Sequence, residues 1–235
     1  EARGAKELEK KLKPDCFEDI IALMALNRPG PLGSGMVDDF IQRKNQQKIK
    51  GKGEDAWYFH PKLKPVLEST FGVMVYQEQV MLVAQILAGY SLGSADLLRR
   101  AMGKKDANEM AKQRAVFIKG AQELNGVSEA LAKTLFDLME KFADYGFNKS
   151  HSAAYALIAY HTAWFKCYYP AEFMAATLSL DMDYTDKVQT LYQDCVEEND
   201  LSILPPDINS SNHYFEPIDA TTIRYGLGAV KGTGQ

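Results

Sequence analysis

The stretch Ser94-Ala95-Asp96-Leu97-Leu98-Arg99-Arg100-Ala101-Met102-Gly103-Lys104-Lys105-Asp106-Ala107-Asn108-Glu109 sets the style of the chain. Ser94 is a good N-cap, and Leu97, Leu98, Ala101 and Met102 follow it at helical spacing until Gly103. Asp106 and Glu109 then form a capping box. It predicts a longer helix to about Asn125, with Gly126 just beyond. Two capped helices back to back point to a helical domain.

The same style extends both ways. Downstream, Ser128 caps a helix reaching about Phe142, and a loop covers 143–149. Ser150 or Ser152 caps a long aromatic helix to about Tyr168, and Pro170 starts one more. Upstream, Gln79–Leu87 reads as a strong helix stopped by Gly89, and Val73–Tyr76 as extended. The polar segment 45–55 reads as a loop, and Met36–Lys44 as a short helix. Asp15 and Glu18 form a capping box for a helix ending near Asn27. Near Asp181 the style changes. A helix at about 185–198 precedes short β-like pieces at Ser202–Leu204, His213–Phe215 and Thr222–Tyr225, separated by turn residues. The expected fold is therefore mainly α: a helical domain over residues 1–180, then a small α/β unit over 181–235.

Apolar residues make up 46% and charged residues 25% of the 235, the profile of an ordinary globular chain rather than a disordered one. Three widely spaced cysteines, with no Cys-x-x-Cys pair, argue for a reducing compartment and against a disulfide framework or a zinc site. No apolar run is long enough to suggest a membrane span. The chain starts at Glu1 and stops at Gln235, and it reads as a piece of something longer.

The net charge of −4 hides a polarised distribution. Residues 95–119 hold seven cations against three anions, and residues 181–200 hold seven anions against one cation. A chain so divided can turn a basic face to a phosphate polymer. Two basic stretches concentrate the chemistry. Arg99, Arg100, Lys104 and Lys105 flank a helix end, where Gly103 is expected to let the lysines turn back. As helix neighbours, Arg99 and Arg100 diverge by about 100 degrees. In Tyr145-Gly146-Phe147-Asn148-Lys149-Ser150-His151-Ser152, donors and cations crowd a helix N-terminus, which favours an anion. Each stretch also has a plain structural reading, as dipole complementation or capping.

Other candidates are weaker. Tyr155, Tyr160, Trp164, Phe165, Tyr168 and Tyr169 could stack bases, but their helical spacing predicts packing surface. His60, His161 and His213 lack metal-ligand neighbours and read as structural or exposed. Asp181 and Asp183 would suit two metal ions if carried on a strand, but here they read as helix-start acids, as do Asp38 and Asp39. The sequence holds no phosphate-binding Gly-x-x-x-x-Gly-Lys-Ser/Thr motif, no His-Glu-x-x-His and no nucleophile elbow. That counts against a self-contained nucleotide-binding enzyme such as a kinase. A helical interaction module whose basic stretches are only surface is the other alternative.

Several segments resemble a known family in order along the chain. They include Asn27-Arg28-Pro29-Gly30-Pro31, Gly35-Met36-Val37-Asp38-Asp39-Phe40-Ile41, Tyr76-Gln77-Glu78-Gln79-Val80-Met81, Leu97 through Lys105 and Met110-Ala111-Lys112-Gln113-Arg114. Tyr145 through Tyr155, Tyr169 through Ala176 and Leu204 through Asn209 complete the series. Together they resemble the fingers region of the bacterial replicative DNA polymerase III alpha subunits, the C-family polymerases. The linker 45–57 departs from the family's usual version. Asp144 stands where a small residue is commoner, and His161 where Gln is.

The resemblance implies a role in template-directed DNA synthesis. Arg99, Arg100, Lys104, Lys105, Asn148, Lys149, Ser150, His151 and Ser152 would bind the triphosphate of the incoming deoxynucleotide. Arg3, Lys112, Arg114 and Lys231 would touch primer-template DNA weakly. Two Mg²⁺ ions would be held by palm aspartates outside this chain, so the chain alone would be inactive. The terminal Lys231–Gly234 would lead into a helix-hairpin-helix domain. Implied partners are the other domains of the alpha subunit and the replicase holoenzyme subunits, including the sliding clamp, in the cytoplasm.

Overall fold

In this computed structural model the described residues are 3–50, 55–104, 107–143 and 145–232. They form twelve α-helices and one three-stranded sheet near the C-terminus, the mainly α architecture with a small α/β part that the sequence predicts. The helices are α1 (Arg3–Leu12), α2 (Phe17–Leu26), α3 (Pro29–Gly33), α4 (Met36–Lys50), α5 (Lys64–Leu67), α6 (Gln77–Ala88), α7 (Leu92–Lys104), α8 (Ala107–Asn125), α9 (Glu129–Ala143), α10 (Lys149–Tyr168), α11 (Pro170–Leu180) and α12 (Thr185–Gln193). The strands are β1 (Ser202–Leu204), β2 (Glu216–Asp219) and β3 (Thr222–Arg224).

The chain divides into two compact units, Glu1–Ala156 and Leu157–Gln235, earlier than the change of sequence style at 181. Packing explains the difference. Ala171, Met174, Ala175 and Leu178 of α11 share a core with Val188, Cys195, Phe215 and Ile223, so α11 belongs with the sheet. In that sheet β3 is central, parallel to β1 and antiparallel to β2. The expected strand at 213–215 lies instead at Glu216–Asp219. Phe215 is drawn into the core, and its N–H donates to Ser179 Oγ at 3.0 Å.

The first unit has two cores. In one, Leu87 of α6, Leu98 of α7, Phe117 of α8 and Phe136 of α9 are fully buried together. Gly120 lets α8 meet α6, since a Cβ there would lie 2.4 Å from the Ala88 carbonyl oxygen. In the other, Leu12, Leu26 and Phe40 gather α1, α2 and α4. The extended segment 73–76 separates them. Val73 and Val75 point into the second core and Met74 into the first, the alternation of a strand. Gln79, itself buried, fixes the end of this segment. Its Oε1 accepts from the N–H groups of Val75 (2.9 Å) and Tyr76 (3.0 Å), and its Nε2 donates to Thr70 Oγ1 (2.7 Å) and the Val66 carbonyl (3.1 Å).

Several helix ends differ from expectation. Ser91, not Ser94, opens α7, its Oγ accepting from the Ser94 N–H at 3.2 Å. The helix then runs through Gly103 to Lys104 rather than turning there. Asp106 lies outside the described residues, but α8 ends at Asn125 as predicted. Helix α4 continues to Lys50, through residues read as a loop, and the capping box at Asp15 does not form. Both changes share one cause: α4 brings Lys44 and Lys48 to the acids that precede and open α2. Lys44 is buried against Asp19, reaches Asp15 at 3.2 Å and donates to the Lys13 carbonyl at 3.0 Å, while Lys48 holds Asp15 at 2.5 Å. Lys48 first, then Asp19 and Lys44, hold the Asp15 carboxyl far below the usual carboxylate range. A depressed folded-state pKa stabilises above the unfolded value and loses that contribution as pH falls through the folded one.

Lys44→Met should therefore cost about 3–5 kcal/mol, because it strands the buried Asp19 carboxylate. Lys44→Met combined with Asp19→Leu should recover most of that loss. Urea unfolding of the three proteins checks this. An equal loss in the single and double variants would show that the pair does not hold α4 to α2.

Candidate anion-binding site

The first turn of α6 carries Gln77 and Glu78 side by side, and each holds one of the two basic stretches. Gln77 Oε1 accepts from Arg99 Nη1 at 3.3 Å. Glu78 accepts from Asn148 Nδ2 at 2.9 Å, and both its oxygens accept from the Lys149 backbone N–H at 3.1 Å. Backbone pairing locks the same junction: Gln77 N–H donates to the Phe147 carbonyl at 3.0 Å, and Phe147 N–H to the Val75 carbonyl at 3.1 Å. The Lys149 ammonium lies 5.4 Å from the centre of the Tyr76 ring, and burial raises the pKa of that phenol. Stretches that are far apart in sequence thus flank one helix start.

In α7, Arg99 and Arg100 both turn back onto Asp96. Arg99 Nη2 and Arg100 Nε each reach it at 2.8 Å. Their Cα–Cβ directions diverge, but the long side chains close the gap, so the two guanidinium groups share one carboxylate. The Arg99 hydrogen bond is the main cause that lowers the Asp96 pKa. Lys104 is exposed one turn beyond Arg100, on the same helix face. Lys105 lies outside the described residues.

Asn148, rather than Ser150 or Ser152, caps α10, its Oδ1 accepting from the His151 N–H at 2.8 Å. Asn is as good a cap as Ser, and it stands one position before the first helical residue. Ser150 and His151 are exposed, and the His151 ring lies 5.3 Å from Phe147 and 4.7 Å from Tyr155. Ser152 is fully buried, and its Oγ has no hydrogen-bond partner among the described residues. Burial takes it out of reach of a ligand in solvent. The loop before α10 is braced by Arg28, which stacks 4.4 Å over Phe147 and donates to the Tyr145 carbonyl at 2.6 Å. Sequence reading assigned no role to Gln77, Glu78 or Arg28. The one available signal was an acid in the first turn of α6, and nothing local says which distant segment it meets.

Four described cations, Arg99, Arg100, Lys104 and Lys149, outnumber the two acids among them, Asp96 and Glu78. Such a cluster can hold an anion with several oxygens by charge and by guanidinium donors. Of the residues suggested for weaker DNA contact, Lys112 and Lys231 are exposed. Arg114 is tied to Asp137 (2.5 Å) and Glu140 (3.1 Å) of α9. Arg3 opens α1.

Among the described residues the carboxylates nearest one another do not suit Mg²⁺. Among the described residues the gathered ligand set is Asp15, Cys16 and Asp19, and the Lys44 ammonium already sits against both carboxylates. A thiol also suits Mg²⁺ poorly. Asp181 is paired with Lys187 at 2.7 Å, and Asp183 is exposed just before α12. His60 caps a short turn, accepting from the Lys62 N–H at 3.2 Å, while His161 is exposed and His213 packs on Tyr214. The aromatic run of α10 does not pack as expected. Tyr155, Tyr160, Trp164, Phe165, Tyr168 and Tyr169 are all exposed.

Comparison with known proteins agrees with this chain throughout its length. It is 58% identical to the DNA polymerase III subunit alpha of Haemophilus influenzae, and 59% identical to those of Vibrio cholerae and Escherichia coli K12. Each match covers all of this chain and 20% of the relative, so the chain spans a fifth of their length. A helix-hairpin-helix motif matches residues 200–235, starting before the sheet rather than at its end. The bacterial DNA polymerase III alpha subunit finger domain matches residues 1–125, and with the relatives this places the chain in that family.

Proposed function

We propose that in the full-length subunit the cluster around the start of α6 grips the triphosphate of the incoming deoxynucleoside triphosphate. The observation that carries this reading is that Gln77 and Glu78, adjacent residues, hold Arg99 on one side and Asn148 and Lys149 on the other. Phosphoryl transfer is accelerated mainly by positioning and by charge placed at the phosphate oxygens. Arg99 and Arg100 offer planar guanidinium forks, already aimed by Asp96. Lys104 and Lys149 add point charges, and Lys105 extends the same stretch. Ser150 and the His151 ring are exposed donors at the same helix start. The Asn148 amide and the Lys149 backbone N–H are engaged by Glu78, so they are free for phosphate only when Glu78 swings away. Ser152 supports the helix rather than touching the ligand.

The wider role is DNA-directed DNA synthesis in the bacterial cytoplasm, with primer-template DNA passing near Lys112 and Lys231. Two Mg²⁺ ions and the carboxylates that hold them belong to a palm outside this chain. Contacts to the sliding clamp and other replicase subunits also lie in other regions.

Replacing Arg99, Arg100, Lys104 or Lys149 by Ala in the full-length subunit should remove a charge-assisted contact of about 1.5–3 kcal/mol. That corresponds to a loss of roughly 10- to 150-fold in kcat/KM for nucleotide, with primer-template affinity little changed. Arg100→Lys should recover only part, because a point charge does not replace a planar fork. Single-nucleotide incorporation at saturating primer-template, with a melting curve for each variant, is the measurement. Unaltered nucleotide dependence in all four would remove the triphosphate reading.

The 235-residue chain alone should extend no primer with Mg²⁺, since the carboxylates proposed to hold the metal belong to a palm outside it. Incorporation by rigorously purified chain, abolished by Asp181→Asn with Asp183→Asn, would place the metal site here instead.

A further inference from the structure

Arg28 lies between α2 and α3, far in sequence from either basic stretch, yet it grips the loop that delivers one of them. Its Nε donates to the Ala25 carbonyl at 2.8 Å, which anchors the guanidinium on the end of α2. Its Nη2 donates to the Tyr145 carbonyl at 2.6 Å, and the guanidinium carbon stands 4.4 Å from the centre of the Phe147 ring. One planar group therefore holds the residues on both sides of Gly146. Gly30 adds a second clamp on the same turn. A Cβ there would lie 2.4 Å from Tyr145 Cδ1, so that ring packs directly on the Gly30 backbone. Phe147 is in turn paired through its backbone with Val75 and Gln77, and Asn148 and Lys149 follow it at once.

We propose that Arg28 is a positioning residue for nucleotide binding: it acts through residues 145–147 and sets where Asn148 and Lys149 stand, without touching the nucleotide. The inference rests on the triphosphate reading and adds to it a residue from outside both basic stretches. A lysine would not do the same. Its single nitrogen replaces two separate donors with one, and it has no plane to lay over the Phe147 ring. A shift of about 1 Å in a group that meets substrate can cost about 100-fold in rate.

The test is single-nucleotide incorporation by the full-length subunit at saturating primer-template, carrying Arg28→Lys, Lys149→Ala or both, with a melting curve for each. Arg28→Lys keeps the charge, so it reads placement rather than electrostatic attraction. It should lower kcat/KM for nucleotide by roughly 10- to 100-fold. In the Lys149→Ala background the same change should cost no more than about threefold, since groups that act through one another do not add. Phe147→Leu, which removes the stacked ring alone, should match Arg28→Lys and add little to it. Wild-type kinetics in both Arg28→Lys and Phe147→Leu, beside a clear loss in Lys149→Ala, would overturn this inference and leave the triphosphate reading standing. Full additivity with Lys149→Ala, or a loss in both variants explained by a lower melting temperature, would make Arg28 a purely structural brace and overturn it too. Wild-type kinetics in Lys149→Ala would remove the triphosphate reading and this inference with it.

Discussion

Both oxygens of Glu78 accept the Lys149 backbone N–H, at 3.1 Å, and one also accepts the Asn148 amide. This carboxylate ties the start of α10 to the start of α6, and the rest of the site depends on the tie. An acid at a helix N-terminus is favoured by the free N–H groups and by the dipole. The contact is exposed, so solvent screens much of its strength. Most of the holding falls to the buried parts around it. Gln79 satisfies the backbone of Val75 and Tyr76, and the Gln77–Phe147 pair closes the junction. Rigid buried hydrogen bonds thus place an exposed polar cluster, the arrangement a binding site requires.

Charge is arranged in the same economical way. Asp96 gathers two arginines that helix geometry would otherwise splay, and Glu78 sits beside Lys149. Each acid lowers the net charge of the cluster; Asp96 fixes where its two guanidinium groups stand, and Glu78 fixes the backbone that carries Lys149. Cations already ordered lose less side-chain entropy when an anion arrives. Arg114 is ordered in the same way, by Asp137 and Glu140 on a neighbouring helix.

Helix content and most helix ends could be read from caps and spacing. Ser128 caps α9 as read, with its Oγ accepting from Leu131, and Gly89 and Gly126 adopt the left-handed backbone that ends α6 and α8. The ends that moved did so for tertiary reasons. Asp15 was claimed by Lys44 and Lys48, which came from a helix longer than its polar sequence suggested. Both basic stretches were visible as candidates, because cations and donors cluster locally. Their proximity was not visible, because it rests on one acid and one amide in α6 that meet segments distant in the chain. The spacing of Tyr160, Trp164 and Tyr168 in α10 predicts a packing face, yet all three are exposed.

The central claim is that two basic stretches act on one triphosphate. A double-mutant cycle in the full-length subunit, combining Arg99→Ala with Lys149→Ala and read as kcat/KM for nucleotide, tests it most directly. Groups that hold one ligand couple, so the double variant should depart from the sum of the single losses by about 0.5–3 kcal/mol. Losses that simply add, within about 0.3–0.5 kcal/mol, would mean that the two stretches serve separate ligands.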